Sequence, residues 1–266
     1  METKERQDNL DFIIGYMLKE RGEEMVLPAS LREKQRLMQA LMNVRQPGGV
    51  TEDFLKAQDA ELQQQRADKG IVTLEDVARE GIAGKAGERV QLYVWQGDIT
   101  RLQVDAIVNA ANAQLLGCFA PLHACIDNAI HSAAGIQLRE ECHALMQAQG
   151  HEEPTGKAKI TGGYNLPSKH VLHTVGPIIS IGLPTGRQEL QLASCYRSCL
   201  EEAERHALES IAFCCISTGV FRFPKGEAAR IAVATVKETL QNSRIEKVVF
   251  CVHGDENLRI YQKLLY

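Results

Sequence analysis

The first part of the chain carries apolar residues at helical spacing. One predicted helix face has them at positions i, i+3, i+4, i+7 and i+8: Leu10, Ile13, Ile14, Met17 and Leu18. This spacing buries one side of a helix and leaves the other polar. We expect the first helix to end near Gly22, since glycine commonly follows a helix.

Two further helices are predicted before residue 81. Ser30 and Glu33 have the spacing of a capping box, in which each side chain bonds a backbone N–H at the start of a helix. The apolar stripe of this second helix is Leu37, Met38, Leu41 and Met42. Pro47 stops it, and Thr51 is expected to cap a third helix that carries Phe54, Leu55 and Leu62.

The pattern changes to short β-branched runs from Val90 onwards. The predicted strands are VQLYVW, AIVNA, HVLHTV, SIAFCCIS and KVVFCV, with amphipathic helical stretches between them. Alternating strands and helices favour an α/β domain with a largely parallel sheet covered on both faces. We read Gly81, Gly84 and Gly87 as a linker, and predict a helical N-terminal segment at 1–85 and an α/β domain at 86–266.

The composition of the chain excludes several classes of protein. The 266 residues include 30 basic and 34 acidic side chains, a net charge of -4, which gives no indication of nucleic-acid binding. No apolar run is long enough to span a membrane, and the charged start METKERQDNL does not resemble a secretory signal, so we expect a cytoplasmic protein. The eight cysteines are expected to be reduced thiols or metal ligands.

Two segments place polar residues directly after predicted strands, where open α/β sheets bind ligands. Asn109 and Asn112 end the AIVNA strand, and their amides suit sugar hydroxyls, although asparagine is also a common turn residue. The segment 217–225 follows SIAFCCIS and precedes a helix, a setting in which backbone N–H groups hold phosphates. Phe223 suits stacking on a sugar or base, or anchoring of the loop in the core.

Six motifs occur in the order found in the macrodomain family: GDIT, VDAIVNAAN, HSAAG, TGGYNLP, HTVGP and STGVFRFPKGEAA. The chain resembles this family over about residues 89 to 266. The resemblance implies a three-layer α/β/α fold with a mixed, largely parallel sheet and a cleft for ADP-ribose. It implies Asp98 and Ile99 at the adenine end and Asn112 near the distal ribose. The residues implied around the diphosphate are Ser217, Thr218, Gly219, Val220, Phe221 and Phe223.

The segment between Asn112 and His131 departs from the commoner pattern of the family, which has a run of glycines there. Cys118, His123 and Cys125 have the spacing C-x4-H-x-C instead. With Asp127 they resemble the zinc-containing branch of microbial ADP-ribosyl hydrolases. Two thiolates and one imidazole leave a tetrahedral Zn²⁺ with an open position. From spacing alone two alternatives stay open: no metal, or a closed zinc with Asp127, His131, Cys142 or His173 as fourth ligand.

The resemblance implies a zinc-dependent hydrolase with one Zn²⁺ per chain. It would remove mono-ADP-ribose from a modified protein at the anomeric carbon of the distal ribose, with Asn112 and Asp127 as catalytic residues. Family context suggests a carrier protein modified by a partner transferase as the substrate. The alternatives are a module that binds ADP-ribose without cutting it and a deacylase of O-acyl-ADP-ribose. The other cysteines, His170 and His173 are expected to be core or edge residues.

Overall fold

Three helices form the N-terminal segment in the computed structural model, which describes residues 3–86 and 90–265. They are α1 (Thr3–Glu20), α2 (Leu31–Val44) and α3 (Glu52–Lys69). The side chain of Ser30 accepts a hydrogen bond from the backbone of Glu33, and that of Thr51 accepts one from the backbone of Phe54. Both N-cap residues are thus confirmed, because each satisfies a backbone donor that the helix itself leaves unpaired. The predicted capping box is only half formed, since the Glu33 carboxylate accepts a hydrogen bond from the Ser30 hydroxyl at 2.6 Å instead of from the Ser30 backbone.

The rest of the described chain builds a seven-stranded sheet. Its strands are β2 (Ile82–Ala86), β3 (Val90–Gln96), β5 (Ala106–Ala111), β6 (Ala158–Gly162), β7 (His170–Val175), β8 (Ser210–Phe213) and β9 (Lys247–Val252), with a separate short pair of β1 (Val72–Thr73) and β4 (Leu102–Gln103). The order across the sheet is β2-β3-β9-β8-β5-β7-β6. The five central strands run parallel, and the edge strands β2 and β6 are antiparallel to their neighbours.

Helices cover both faces of this sheet. They are α4 (Leu74–Glu80), α5 (Ile126–Ala134), α6 (Ile136–Gln149), α7 (Gly186–Arg205), α8 (Lys225–Thr239) and α9 (Asp255–Leu265). His173 Nε2 of β7 lies 3.7 Å from Cys142 Sγ of α6, whereas the next residue, Thr174, contacts Cys195 of α7. Successive strand residues face opposite sides, so α6 and α7 cover opposite faces. The three-layer prediction is confirmed.

Two details of the sequence interpretation change. Residues 82–86 form strand β2 paired with β3, so Gly84 lies in the sheet and the expected boundary at 85/86 falls inside a strand; Gly87 lies outside the described residues. Strand β8 ends at Phe213, so residues 214–217 lie outside the sheet, and Ser217 adopts a left-handed φ of 64°. Cys214 and Cys215 therefore follow the strand.

The N-terminal helices have an apolar core of their own. It is built from buried residues that include Leu10, Ile13, Met38 and Phe54, and among the described residues of the sheet domain only Ile136 of α6 joins it. Several hydrogen bonds also join the two parts. For example, Gln58 of α3 is buried and accepts a hydrogen bond from the backbone of Ile136 at 3.0 Å, which satisfies an N–H at the start of α6.

Candidate active site

The parallel strands bring the predicted motifs to one edge of the sheet. Asp98 follows β3, Asn112 follows β5, and the segment 214–224 follows β8. Strand β8 lies directly between β9 and β5. Because the carboxyl ends of parallel strands share an edge, the Asn112 loop and the segment 214–224 are neighbours. This is the place where open α/β sheets bind ligands.

Residues 112–125, which we call the metal loop, bring the three predicted metal ligands together. The Sγ atoms of Cys118 and Cys125 and the ring nitrogen of His123 all lie within 4.8 Å of one another. Cys118 Sγ is 3.6 Å from His123 Nδ1. A tetrahedral Zn²⁺ with Zn–S of about 2.3 Å and Zn–N of about 2.05 Å separates its sulfur and nitrogen ligands by about 3.6 Å. The donor set and its spacing therefore fit zinc.

Cys125 also caps helix α5. Its Sγ accepts a hydrogen bond from the backbone N–H of Asn128 at 3.4 Å. Burial raises the pKa of this thiol to about 11, an effect that the Asn128 hydrogen bond partly offsets and the neighbouring Cys118 reinforces. A bound cation would reverse this balance, because a metal-coordinated thiol is deprotonated.

The four residues considered as a fourth ligand lie elsewhere. In the described part of the chain, Asp127, His131, Cys142 and His173 are not among the side chains grouped with Cys118, His123 and Cys125. His131, Cys142 and His173 form a second, fully buried group. Burial lowers the pKa of His173 to about 3 and raises that of the Cys142 thiol, so both groups stay neutral at physiological pH. His173 is a buried core residue, as expected.

Asp127 lies in the first turn of α5, two residues beyond Cys125. It is buried, and its Oδ1 accepts a hydrogen bond from Asn109 Nδ2 at 2.8 Å. Burial raises the pKa of this carboxyl to about 6, against the opposing effects of the Asn109 hydrogen bond and the positive charge of Arg139. The same Asn109 Nδ2 lies 3.2 Å from His173 Nδ1, and His173 Nε2 lies 2.9 Å from Thr161 Oγ1. Asn109, His173 and Thr161 thus form a buried chain of hydrogen bonds that ends at Asp127.

Asn112 links the metal loop to Asp127. Its Nδ2 donates to the Gly117 carbonyl at 2.9 Å and lies 3.5 Å from Asp127 Oδ2, while its Oδ1 accepts from the backbone of Gln114 at 3.0 Å. The amide that was expected to contact ribose therefore also fixes the shape of the loop. Such local side-chain bonds are typical of asparagine in turns, the alternative interpretation of this motif.

Beneath the metal loop, His131 packs against Gly117. The φ of Gly117 is 79°, and a Cβ at this position would lie 2.9 Å from the His131 ring. Glycine is therefore required both by the backbone conformation and by the close approach of the imidazole. Burial holds the pKa of His131 well below its usual value, so the ring packs in its neutral form.

The segment 214–224, here called the diphosphate loop, exposes backbone donors. Among the described residues the N–H groups of Gly219, Val220 and Phe221 have no hydrogen-bond partner, and the Ser217 hydroxyl, although buried, has none either. The loop is closed internally, because the N–H of Phe223 donates to the Ser217 carbonyl at 2.9 Å. Free N–H groups before the N-terminus of a helix such as α8 are suited to bind an anion.

Three other residues predicted to bind ADP-ribose differ in their exposure to solvent. Phe223 is 2% exposed and lies in the apolar core, so the expected stacking on a ligand is replaced by the alternative, an aromatic anchor for the loop. Ile99 is buried as well, and its carbonyl accepts a hydrogen bond from the backbone of Leu102. Asp98 is exposed; its Oδ1 accepts hydrogen bonds from Thr100, and its Oδ2 lies 3.8 Å from Lys69 Nζ of α3.

Sequence reasoning missed Gly176, directly after β7. A Cβ at this position would lie 2.0 Å from Ser217 Oγ and 3.0 Å from Ile216 Cγ2. The glycine allows the diphosphate loop to pack against the end of β7. The motif HTVGP contains this residue, but spacing alone gave no sign of which loop it touches.

Comparison with known proteins fits this arrangement. The Macro domain family matches residues 108–232. An Oceanobacillus iheyensis macrodomain solved with ADP is 39% identical to this chain and has a TM-score of 0.63. The match covers 69% of this chain and 93% of that macrodomain. A Trypanosoma brucei macrodomain in complex with ADP-ribose is 29% identical, covers 82% of this chain and 92% of its own, and has a TM-score of 0.65. The chain belongs to the Macro domain family.

Within this family the similarity to one kind of protein extends along the whole chain. A protein-ADP-ribose hydrolase of Treponema medium is 49% identical over 268 residues, covering all of both chains. A protein-ADP-ribose hydrolase of Staphylococcus aureus strain MSSA476 is 45% identical over 269 residues, covering 99% of this chain and 97% of its own. Among the helices described, none has the length and apolarity needed to cross a bilayer.

Proposed function

We propose that the protein is a zinc-dependent hydrolase that removes mono-ADP-ribose from modified proteins by cleaving at the anomeric carbon of the distal ribose. The full-length relatives named protein-ADP-ribose hydrolase support the hydrolase activity. One observation carries the zinc dependence: Cys118, His123 and Cys125 converge in the loop that joins Asn112 to Asp127. Three protein ligands are the number that a catalytic zinc uses, since its fourth position serves water or substrate.

Zinc at this site would supply a Lewis acid for the ribose or scissile oxygen, or lower the pKa of a bound water toward about 7. Asp127 is the proposed general base, or the group that orients the attacking water. Asn109 fixes the position of its carboxylate by a 2.8 Å hydrogen bond. Asn112, whose Nδ2 lies 3.5 Å from Asp127 Oδ2, holds the distal ribose beside that carboxylate.

The diphosphate loop binds the rest of the ligand in this proposal. The unpaired N–H groups of Gly219, Val220 and Phe221 hydrogen-bond the diphosphate, and the Ser217 hydroxyl and Thr218 complete this part of the site. Asp98 and the backbone of Ile99 lie at the adenine end. Backbone recognition suits a chain with a net charge of -4, because no basic patch is needed to hold the anion.

The substrate in this proposal is an ADP-ribosylated protein, for which we favour a carrier modified by a partner transferase. The location we propose is the cytoplasm, where thiol ligands stay reduced without a disulfide partner. Nucleic acid and membrane are not part of the proposal.

The decisive experiment measures release of ADP-ribose from a mono-ADP-ribosylated protein together with the zinc content of the purified chain. We expect about one zinc per chain in the wild type, and loss of both zinc and turnover in Cys118→Ala and His123→Ala. ADP-ribose affinity should stay close to that of the wild type, since the diphosphate loop is intact in both variants.

Three results would contradict the proposal in different ways. Full turnover by a zinc-free variant would disprove the zinc dependence. Binding without turnover by the zinc-loaded wild type would identify a non-catalytic reader of ADP-ribose. Turnover of O-acyl-ADP-ribose alone would identify a deacylase instead.

A further inference from the structure

We propose that the N-terminal helices position the metal loop, with Asn43 of α2 as the residue that transmits their support to His123. This inference rests on the proposed zinc site but concerns a part of the chain that lies outside it. The N-terminal segment is thereby assigned a role in metal binding.

Asn43 reaches the metal loop from the last turn of α2. Its side chain is 1% exposed, its Oδ1 accepts a hydrogen bond from the backbone N–H of Leu122 at 2.9 Å, and its Nδ2 donates to Ser132 Oγ of α5 at 3.0 Å. Leu122 directly precedes His123. Asn43 therefore holds the backbone from which a proposed zinc ligand projects.

The backbone at Leu122 needs such support. Its φ is 56°, in the left-handed region that costs a non-glycine residue roughly 1 kcal/mol or more. A strained conformation of this kind persists only where surrounding contacts impose it. In the described structure the strained residue itself donates its backbone N–H to Asn43 Oδ1.

The hydrogen bonds continue through α5 back to the same loop. Ser132 Oγ donates to Asn128 Oδ1 at 2.9 Å, and Asn128 Nδ2 donates to the Ala120 carbonyl at 3.0 Å. Two backbone groups of the loop, at Ala120 and Leu122, are thus tied to one polar network. Since every member bonds to the next, the network fixes the loop relative to both helices.

Arg139 makes a second connection between α2 and the metal loop. This buried guanidinium of α6 donates to the carbonyls of Met42 at 2.8 Å and Arg45 at 2.6 Å, at the end of α2. It also donates to the Leu116 carbonyl at 2.7 Å and lies 4.6 Å over the ring of Phe119. The end of α2 and the start of the loop therefore share one charged partner, which satisfies carbonyls that the helix leaves unpaired.

Metal sites on loops depend on such contacts. Groups that orient ligands without touching the metal commonly change its affinity about 10- to 100-fold when they are removed. Asn43 acts on the conformation of Leu122 and hence on the direction of His123. The side-chain hydrogen bonds that the structure describes for Asn43 go to Leu122 and Ser132 and not to the diphosphate loop, so its loss should affect zinc and leave ADP-ribose binding unchanged.

Asn43→Leu tests this in the full-length chain, because leucine has nearly the same size but neither donor nor acceptor. The matched control is Gln39→Leu: Gln39 lies one turn earlier on α2 and donates to the same Ser132 Oγ at 3.3 Å, without touching the metal loop. Zinc affinity is measured by competition with a chromogenic chelator. We expect zinc affinity to fall at least about 10-fold in Asn43→Leu and to change less than about 2-fold in Gln39→Leu.

Two further variants make the result decisive. Asn43→Asp keeps the acceptor for the Leu122 N–H and should restore most of the zinc affinity, whereas Asn43→Ser is too short to reach Leu122 and should lose it even if the leucine variant fails to fold. Thermal unfolding and ADP-ribose affinity, measured in parallel, should separate a loop effect from general destabilisation.

Unchanged zinc affinity in Asn43→Leu and Asn43→Ser would overturn the inference while leaving the zinc site intact. An equal loss in Gln39→Leu would overturn it too, since packing of α2 on α5 would then be the cause. A wild-type chain that retains no zinc would disprove the proposed function itself.

Discussion

The metal loop and the diphosphate loop follow adjacent parallel strands, β5 and β8, yet they are held in different ways. In the metal loop the backbone at Leu116, Ala120 and Leu122 is bonded by side chains from three helices. The diphosphate loop is closed mostly by its own backbone, through the bond from Phe223 to Ser217 and another from Arg222 to Gly219 at 3.0 Å. From outside the loop, the backbone N–H of Ile179 donates to the Phe221 carbonyl at 2.8 Å.

The difference matches what each loop is proposed to bind. A metal needs side-chain ligands at fixed angles, and fixed side chains need support from outside the loop. A diphosphate is satisfied by backbone N–H groups, which a tight turn orients without help. The two loops should therefore be separable by mutation: changes around the metal loop should affect turnover, and changes around the diphosphate loop should affect ADP-ribose affinity.

The largest expected effect is that of Asp127→Asn. The amide keeps the size of the carboxylate but cannot accept a proton, so we expect turnover to fall about 100-fold or more. ADP-ribose affinity, measured calorimetrically, should change less than about 3-fold, since the diphosphate loop does not contact this residue. An equal loss of binding and turnover would contradict the separation of the two loops.

Gly176→Ala should produce the converse result. A methyl group here would lie 2.0 Å from Ser217 Oγ and 3.0 Å from Ile216 Cγ2, so the diphosphate loop has to shift. Overpacking of this kind costs about 1 to 3 kcal/mol, and if the shift moves the backbone donors we expect ADP-ribose to bind about 10-fold more weakly.

The control for this variant is Gly186→Ala, because a Cβ at Gly186 meets nothing within 4 Å. Zinc content should equal that of the wild type in both variants. Loss of zinc in Gly176→Ala would show that the two loops are not independent.

Phe223→Leu should have the smallest effect on function. The ring is 2% exposed, so the substitution removes core volume and should lower the free energy of unfolding by about 1 to 2 kcal/mol. ADP-ribose affinity should stay within about 2-fold of the wild type. A 10-fold loss at unchanged stability would instead mean that the ring contacts the ligand.

The sequence predicted the central strands more accurately than the edges. Strands β3 and β9 are rich in β-branched and aromatic residues, β5 and β7 have short apolar runs such as AIV and HVL, and all four are largely buried. Such runs are recognisable without tertiary information. The edge strands β2 and β6 read IAGKA and AKITG. Glycine and lysine weaken a strand signal, and these segments form strands because a neighbouring strand offers them hydrogen bonds.

For the candidate site, local motifs predicted which residues converge but not how they are supported. Cys118, His123 and Cys125 are close in sequence, so their spacing indicated a metal group. Asn43 lies 79 residues before the loop residue that it holds, and no periodicity links the two. Phe223 was ambiguous for another reason, since an aromatic residue after a strand suits both a ligand platform and a core anchor.

The buried chain of hydrogen bonds that ends at Asp127 also limits the groups with which this carboxyl can exchange a proton. Asn109 Nδ2 donates to Asp127 and to His173 Nδ1, so the imidazole carries its hydrogen on Nε2 and donates it to Thr161. An amide holds its hydrogens and does not relay them. Asn109 therefore cannot pass a proton between Asp127 and His173, and the imidazole that lies closest to this carboxylate is that of His131, whose Nε2 is 3.6 Å from Asp127 Oδ1.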